Sequence, residues 1–284
     1  MKKLFAIFSM LPLAALCAPG DATVAKWDGD AAGAFSIMFD DGWPSAFQAA
    51  IPELEKLDLP ADFYIIPQKG EFKVFEKRWH EEFKKPLVHI GNHTWTHGGV
   101  KDFAHARDVE FGKCTQYILD NVPGKKPRLI SYAQPGVGPG KWNINAEETE
   151  KILKEQNLVS RPDFRGRGAT YHHKTKADML TLADKAAKEG VYECIIFHGV
   201  EVDDPKRGYQ DFWAMSVKEY VPFFEELAVR RDRGELWIAD HIRFTSMRPS
   251  VRRRRFQKFH QGGTVMFSKL RAMPMPSFMI SRSP

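Results

Sequence analysis

The chain has 284 residues, of which 43% are apolar, 12% aromatic and 27% charged. This composition excludes a fibrous or disordered protein and allows a core that needs no disulfide stapling, while no internal apolar run reaches the 18 residues of a membrane span. The net charge of +6 is concentrated at one end: from Met247 onward there are nine basic residues and no acidic one. The body before it is therefore slightly acidic, and nucleic acid is not its expected partner.

At the N-terminus Lys2 and Lys3 precede an apolar run, Leu4–Leu16, followed by the small residues Ala18, Gly20 and Ala22. That order is the architecture of a secretory signal; it predicts removal of residues 1–20 and a secreted or periplasmic protein. Cys17 is where a lipid anchor would attach, but the bulky Leu16 before it argues against one, and membrane association is expected only if Cys17 is lipidated. Without Cys17 the chain keeps Cys114 and Cys194, read as two buried free thiols.

From 25 to 246, short β-branched or aromatic runs alternate with longer amphipathic ones. Strands are predicted at Ala34–Phe39, Ala61–Ile66, Leu87–Ile90, Arg128–Tyr132, Leu158–Arg161, Val191–His198 and Leu236–Ala239. Helices are predicted at Ser45–Leu57, Phe72–Phe83, Asp102–Asn121, Asn145–Glu155, Ala177–Glu189 and Ser216–Arg231. Ser216 and Glu219 have the spacing of a capping box, and Pro222 either weakens the last helix or moves its start. About seven strands interleaved with six helices predict one parallel α/β domain over 25–246. Residues 247–284, with Arg252–Arg255 and scattered Met, Pro and Ser, predict a solvated, disordered arm or an aberrant C-terminus.

Three motifs carry chemistry. The first strand runs into Asp40-Asp41-Gly42-Trp43; strand alternation sends neighbouring side chains to opposite faces, and the Gly42 turn is expected to bring both carboxylates to the mouth of the fold. The third strand runs into His93-Thr94-Trp95-Thr96-His97, an i, i+4 pair that would share one face of a helical turn and meet one cation. A carboxylate from another strand end would complete a three-ligand set with open positions, the mark of a catalytic rather than a structural site. The sixth strand, Ile195-Ile196-Phe197, ends at His198, placed to move a proton. Each motif alone has a plain alternative: Asp-rich turns cap helices, paired histidines occur on surfaces, and a histidine after a strand packs. Asn92-His93-Thr94 also spells a glycosylation sequon, a motif short enough to arise by accident.

Taken together, Asp-Asp-Gly after one apolar strand, His-Thr-Trp-Thr-His after another and a late apolar strand ending in His resemble the polysaccharide deacetylases of carbohydrate esterase family 4, the NodB-homology domain. The resemblance covers roughly Phe35–Asp240. It implies a distorted (β/α) barrel of about seven parallel strands. It also implies a divalent metal held by Asp41, His93 and His97, with zinc the first choice and cobalt, nickel or manganese as alternatives. By the same match Asp40 is the general base that takes a proton from the attacking water, and His198 the general acid.

The sequence departs from the family in three places. The family's Arg-Pro-Pro-Tyr-Gly stretch is matched only loosely by Gln134-Pro135-Gly136-Val137-Gly138, where the Val137 backbone amide is the candidate oxyanion donor. The arginine that steadies the base is missing, with Arg161, or Arg165 near Asp163, as its candidate replacement. Cys194 and Ile196 stand where the family has leucines lining an acetyl pocket. Trp43 and Trp95 flank the site as sugar-stacking candidates, with Arg161 and Asp163 completing the substrate-binding set. Asp203, Asp204, Arg207, Tyr209 and Trp213 form a polar and aromatic loop after the sixth strand, whose faces and charges could grip sugar rings, with a solvated loop as the plainer alternative. The expected function is removal of acetyl groups from a polysaccharide or oligosaccharide, N-acetyl amides before O-acetyl esters; the alternative is a catalytically silent carbohydrate-binding protein on the same fold.

Overall fold

The structure, a computed structural model, describes residues 25–162, 169–204, 206, 208–251, 256–261 and 264–269, with side chains as far as 246. The predicted signal segment with Cys17, and Asp163, Arg165 and Arg207, lie outside the described residues.

All seven predicted strands form: β1 (Gly33–Asp40), β2 (Ala61–Ile65), β3 (Val88–Asn92), β4 (Ile130–Tyr132), β5 (Leu158–Ser160), β6 (Tyr192–Phe197) and β7 (Leu236–Ile238). They make one parallel sheet in the order β5-β4-β3-β2-β1-β6, with β7 also on β1. β6 runs along one edge of β1 over Ala34–Phe39, and the opposite edge is divided: β7 takes Gly33–Phe35 and β2 takes Ile37–Asp40. This is the distorted barrel of parallel strands that the family resemblance implies. Asp40 pairs with Tyr64, Ile65 with Asn92 and Phe39 with Phe197, so the carboxyl ends of β1, β3 and β6 lie at one height.

Because side chains alternate along a strand, the sheet has two apolar faces. Phe35, Ile37, Phe39, Phe63, Ile65, Ile195 and Phe197 belong to the large cluster shared with the helices, and Met38, Tyr64, Ala133, Ala169, Cys194 and Ile196 form a smaller one on the inner face. Cys114 and Cys194 are buried free thiols, as the sequence predicts. Each fully buried large side chain contributes roughly 1.5–3 kcal/mol, so two-sided burial fixes the register of β1 and with it the position of Asp40.

The helices are less regular than their periodicity suggests. The predicted Ser45–Leu57 is a π-helical turn, Ala46–Ala50, followed by α1 (Ile51–Lys56). The predicted Phe72–Phe83 splits into α2 (Gly70–Val74) and α3 (Glu76–Glu82). The predicted Asp102–Asn121 comprises α4 (Phe103–His105), a π-helical stretch, Ala106–Phe111, and α5 (Gly112–Asn121). α6 (Ala146–Glu155) and α7 (Lys176–Glu189) start at complete capping boxes, Asn145/Glu148 and Thr175/Asp178.

The predicted capping box of α8 (Val217–Asp232) does not form, and Pro222 sits within the helix rather than moving its start. Glu201 takes over the cap instead, with its Oε2 accepting from the Val217 amide and from Ser216 Oγ, each at 2.9 Å. Glu219 is engaged elsewhere, accepting from the Lys176 amide. The boundary expected at 246/247 falls inside α9 (His241–Val251), and the segment expected to be disordered contains an antiparallel hairpin, β8 (Phe256–Gln261) with β9 (Thr264–Lys269). Phe256, Phe259, Val265 and Phe267 supply strand-forming residues that the overall composition of the tail conceals.

Candidate active site

Asp41 follows β1 with φ of 71°, in the left-handed region that Asp tolerates better than most residues. This bend, made by Asp41 itself and not by Gly42 alone, turns its carboxylate to the side on which Asp40 lies. Behind the turn, the fully buried Trp79 donates its indole N–H to the Gly42 carbonyl at 3.0 Å. From β3, His93 and His97 come within reach: Asp41 Oδ1 lies 3.4 Å from His93 Nε2 and 3.6 Å from His97 Nε2. One ligand atom from each of the three residues falls within 4.8 Å of the others.

The two histidines do not share a helical turn. Thr94 and His97 take φ of 68° and 57°, so the chain from 93 to 97 is a left-handed bend that curls both imidazoles towards Asp41. Such backbone is strained for these residues and persists only when the surroundings hold it. Asn92 accepts from the Thr94 amide at 2.8 Å and donates to Phe111 O and Thr115 Oγ1. Glu110 accepts from the amide and the hydroxyl of Thr96 at 3.0 and 2.7 Å. The π-helical stretch Ala106–Phe111 supplies Glu110 and Phe111 to these bonds. Asn92 is fully buried with its amide used on both sides, so the sequon is structural.

Two observations fit this group to a divalent cation. Asp41 Oδ1 is buried without a hydrogen-bond partner, although it faces two imidazoles. His93 Nδ1 lies 2.9 Å from Ala133 O, so it donates there, which leaves Nε2 as the atom that faces Asp41, where a cation would take the place of a proton. One carboxylate oxygen and two imidazole nitrogens suit zinc and neighbouring transition ions. Burial, then the His93 charge and that of Lys69, lower His97 to about 4, so its ring is neutral and available as a ligand. Burial opposes ionisation of Asp41, but His93, His198 and His97 outweigh it and hold the carboxyl well below its usual range. His93, despite its burial, is raised by Asp40 and Asp41, a local field that favours positive charge.

Asp40 is held differently. Arg161, one residue beyond β5, forks onto it, with Nη1–Oδ1 and Nη2–Oδ2 at 2.6 and 2.7 Å, and its guanidinium lies 4.6 Å from the centre of the Tyr64 ring. Both residues of the pair are buried. Burial would raise the Asp40 carboxyl; the Arg161 charge and fork, with His93 and His198, overcome it and keep the group ionised. Gly91 makes room for Tyr64 below, since a Cβ there would sit 2.5 Å from the ring. His198 completes the mouth, with Nε2 at 4.0 Å from Asp41 Oδ2 and Nδ1 buried without a partner. Burial lowers its pKa against the pull of Asp40 and Asp41.

The family model for polysaccharide deacetylase matches residues 29–154, which include Asp40, Asp41, His93 and His97. Residues 29–154 belong to the polysaccharide deacetylase family. Arg161 and His198 lie beyond the matched segment. A sequence search among curated proteins finds no match. Among solved structures, the chain is similar to a family 4 carbohydrate esterase from Streptomyces lividans in complex with acetate, at 14% identity over 72% of this chain and 90% of that one, with a TM-score of 0.47. It is also similar to the peptidoglycan deacetylase PdaC from Bacillus subtilis, at 16% identity, 77% and 92% coverage and a TM-score of 0.48. A third similar structure is a pseudoenzyme of carbohydrate esterase family 4 from Bacillus anthracis, at 13% identity, 75% and 65% coverage and a TM-score of 0.45.

The remaining expected residues of the deacetylase site divide. Trp43 is at the cleft: its indole nitrogen lies 3.3 Å from Asp41 Oδ2, and it lines a cavity of about 110 Å³ with Asp41, His97, Ile66, Lys69 and Glu71. Trp95 instead turns against the core beside Tyr117, where packing beneath the loop takes the place of the expected sugar contact. Arg161 is spent on Asp40 and is too buried to meet a sugar, which corrects its expected place among the substrate-binding residues. Val137 lies on a half-exposed loop hung between Ala133, which receives the His93 bond, and Lys141, whose carbonyl accepts from Val100 at 2.7 Å. Both anchors of that loop therefore adjoin the 93–97 bend, although no hydrogen bond joins Val137 itself to Asp41 among the described residues. The sequence carries no local signal for Ala133 or Glu110, which act through a backbone carbonyl and a distant loop. Phe212, stacked on Trp43 with centroids 6.2 Å apart, also escaped it.

Proposed function

We propose that this protein is a secreted or periplasmic, metal-dependent hydrolase that removes acetyl groups from a carbohydrate polymer or oligomer, with N-acetyl amides the first choice and O-acetyl esters the second. The observation that carries this reading is the buried, unpartnered Asp41 oxygen facing two imidazole nitrogens beside a second carboxylate already committed to Arg161. Asp41, His93 and His97 would hold the metal. When bound, a divalent cation polarises the acetyl carbonyl and acidifies water.

The rest is work for side chains. Asp40, kept ionised by Arg161 and excluded from the ligand set, takes the proton of the attacking water. The fork also stops the carboxylate from swinging onto the cation. His198, on the far side of Asp41, is positioned to hand a proton to the departing nitrogen or oxygen. The loop that carries Val137 offers backbone amides to the oxygen on which negative charge develops. Cys194 and Ile196 on the inner face supply an apolar floor for a methyl group.

The test is metal analysis of purified protein together with acetate release from chitin oligomers, peptidoglycan fragments and acetylated xylan. Stoichiometric metal with acetate release is expected, and Asp40→Asn keeps the metal while losing at least about a thousandfold in turnover. Metal without acetate from any substrate would assign the chain to carbohydrate binding instead. Loss of metal in Asp40→Asn would overturn the role given to Asp40.

A further inference from the structure

The segment after β6 does more than return the chain. Gly199 to Met215 folds back on itself: Gly199 N–H donates to Phe212 O at 3.0 Å, Met215 N–H to Gly199 O at 3.1 Å and Glu201 N–H to Met215 O at 2.8 Å. It is also tied to the turn after β1, where the Ser45 amide donates to Asp211 Oδ2 at 2.7 Å and Ser45 Oγ accepts from the Val200 amide. The approach is close enough to demand glycine, since a Cβ on Gly199 would lie 2.7 Å from that of Asp211. The loop is thus fixed on the same two strand ends that carry Asp41 and His198.

This anchoring sets Phe212 and Trp213 edge-on to His198, with centroids 5.7 and 5.1 Å away. The two rings stack on each other at 4.3 Å, and the row continues to Trp43 on one side and Tyr171 on the other. Burial does not explain them: Phe212 is 47% exposed and Trp213 49%, although other aromatic residues of this fold, such as Trp79 and Phe111, are fully covered. Trp213 also takes φ of 50°, a costly conformation for a bulky residue. Rigid, half-exposed aromatic faces held in strained backbone beside a proposed proton donor are suited to one class of ligand. The C–H face of a pyranose ring stacks on such a surface while its hydroxyls stay in water.

We infer that Phe212 and Trp213 form a sugar-binding shelf for the pyranose next to the one that loses its acetyl group, so that the substrate is an oligomer or polymer extending past His198. This rests on the deacetylase reading for the position of the reacting sugar, but binding to the shelf is measurable without turnover. The probes are N-acetylglucosamine monomer and tetramer and acetylated xylotetraose, titrated by tryptophan fluorescence and assayed for acetate release. The wild-type protein is expected to bind one tetramer at least about tenfold more tightly than the monomer, the worth of one good aromatic contact. Trp213→Ala and Phe212→Leu should erase that difference through KM with little change in kcat, whereas Trp213→Phe and Phe212→Tyr, which keep an aromatic face, should restore it. Unchanged metal content in each variant shows that the fold is intact. Retained length dependence in Phe212→Leu and Trp213→Ala, or no fluorescence response to either tetramer, would overturn the shelf. Tetramer binding that depends on Trp213, without acetate release, would sustain the shelf and sink the deacetylase reading.

Discussion

At the carboxyl ends of the strands Asp40, Asp41, His93, His97 and His198 gather at one mouth. Lower on the same sheet Asp62, His89 and Asp240 line a cavity of about 390 Å³ that also reaches Arg128 and Ser131, and His241 is bonded to Asp62 and Ser131 beside it. The residue types are nearly the same, but the states are opposite. In the lower group, His241 Nδ1 bonds Ser131 Oγ at 2.7 Å and the His241 amide donates to Asp62 at 2.9 Å. Asp240 is likewise occupied, accepting from the Arg243 amide. Burial and the neighbouring Asp240 push Asp62 well above the usual carboxylate range, and burial with the Arg161 charge lowers His241 to about 4. There Asp62 and His241 are neutral and hydrogen-bonded. In the upper group Asp40 and Asp41 are ionised, and an Asp41 oxygen and two imidazole nitrogens converge on one point. What separates a candidate catalytic centre from a polar plug is convergence of unsatisfied atoms, not abundance of Asp and His.

The strongest way to break this contrast is to remove a polar group from each end. Asp41→Ala or His93→Ala should lose the metal and at least about a thousandfold in acetate release, whereas Asp240→Asn should keep both, as read by metal analysis and turnover. A metal that survives Asp41→Ala would place the cation elsewhere. A smaller but still large effect is expected at the buried pair. Arg161→Ala leaves Asp40 without its counter-charge and should cost about 3–5 kcal/mol in a denaturant melt, with Arg161→Lys recovering part of it.

The third measurement sharpens the lower half of the comparison. Between its folded value near 4 and the ordinary 6.5, His241 binds fewer protons folded than unfolded, so stability rises with pH across that window and is lost on acidification. The loss from this group between pH 7 and 4 is on the order of 3 kcal/mol. His241→Gln removes this titration and should show a shallower decline in melting temperature over the same range. An equal slope in the two proteins would mean that the lower cluster is not held neutral by His241.

The strands and three motif residues were legible because each depends on local pattern. β1 reads as a strand from its own apolar run, and Asp41, His93 and His97 stand at strand ends where parallel folds put their chemistry. Conformation was not legible. The i, i+4 spacing of His93 and His97 suggested a helical turn, but the left-handed residues Thr94 and His97 produce the same convergence by another path. Nor did the sequence distinguish Trp95, which packs on Tyr117, from Phe212, which stands half in solvent, because exposure is decided by what a distant loop covers. Arg161 was named only as one of two candidates. Its pairing with Asp40 depends on β5 lying at the edge of the sheet with its end turned inward, a fact of topology that no window of residues contains.

The divided edge of β1 has a consequence for biosynthesis. The strand that ends at Asp40 is bordered by β2 on only the upper part of one side until β6 and β7 emerge, more than 150 residues later in the chain. Throughout most of translation Gly33–Phe35 therefore lacks strand partners on either side, and closure of the sheet is a long-range event that comes late. Assembly of the mouth is therefore tied to the arrival of β6 and β7: until they dock, an emerging chain has Asp41, His93 and His97 but not the frame that holds them together.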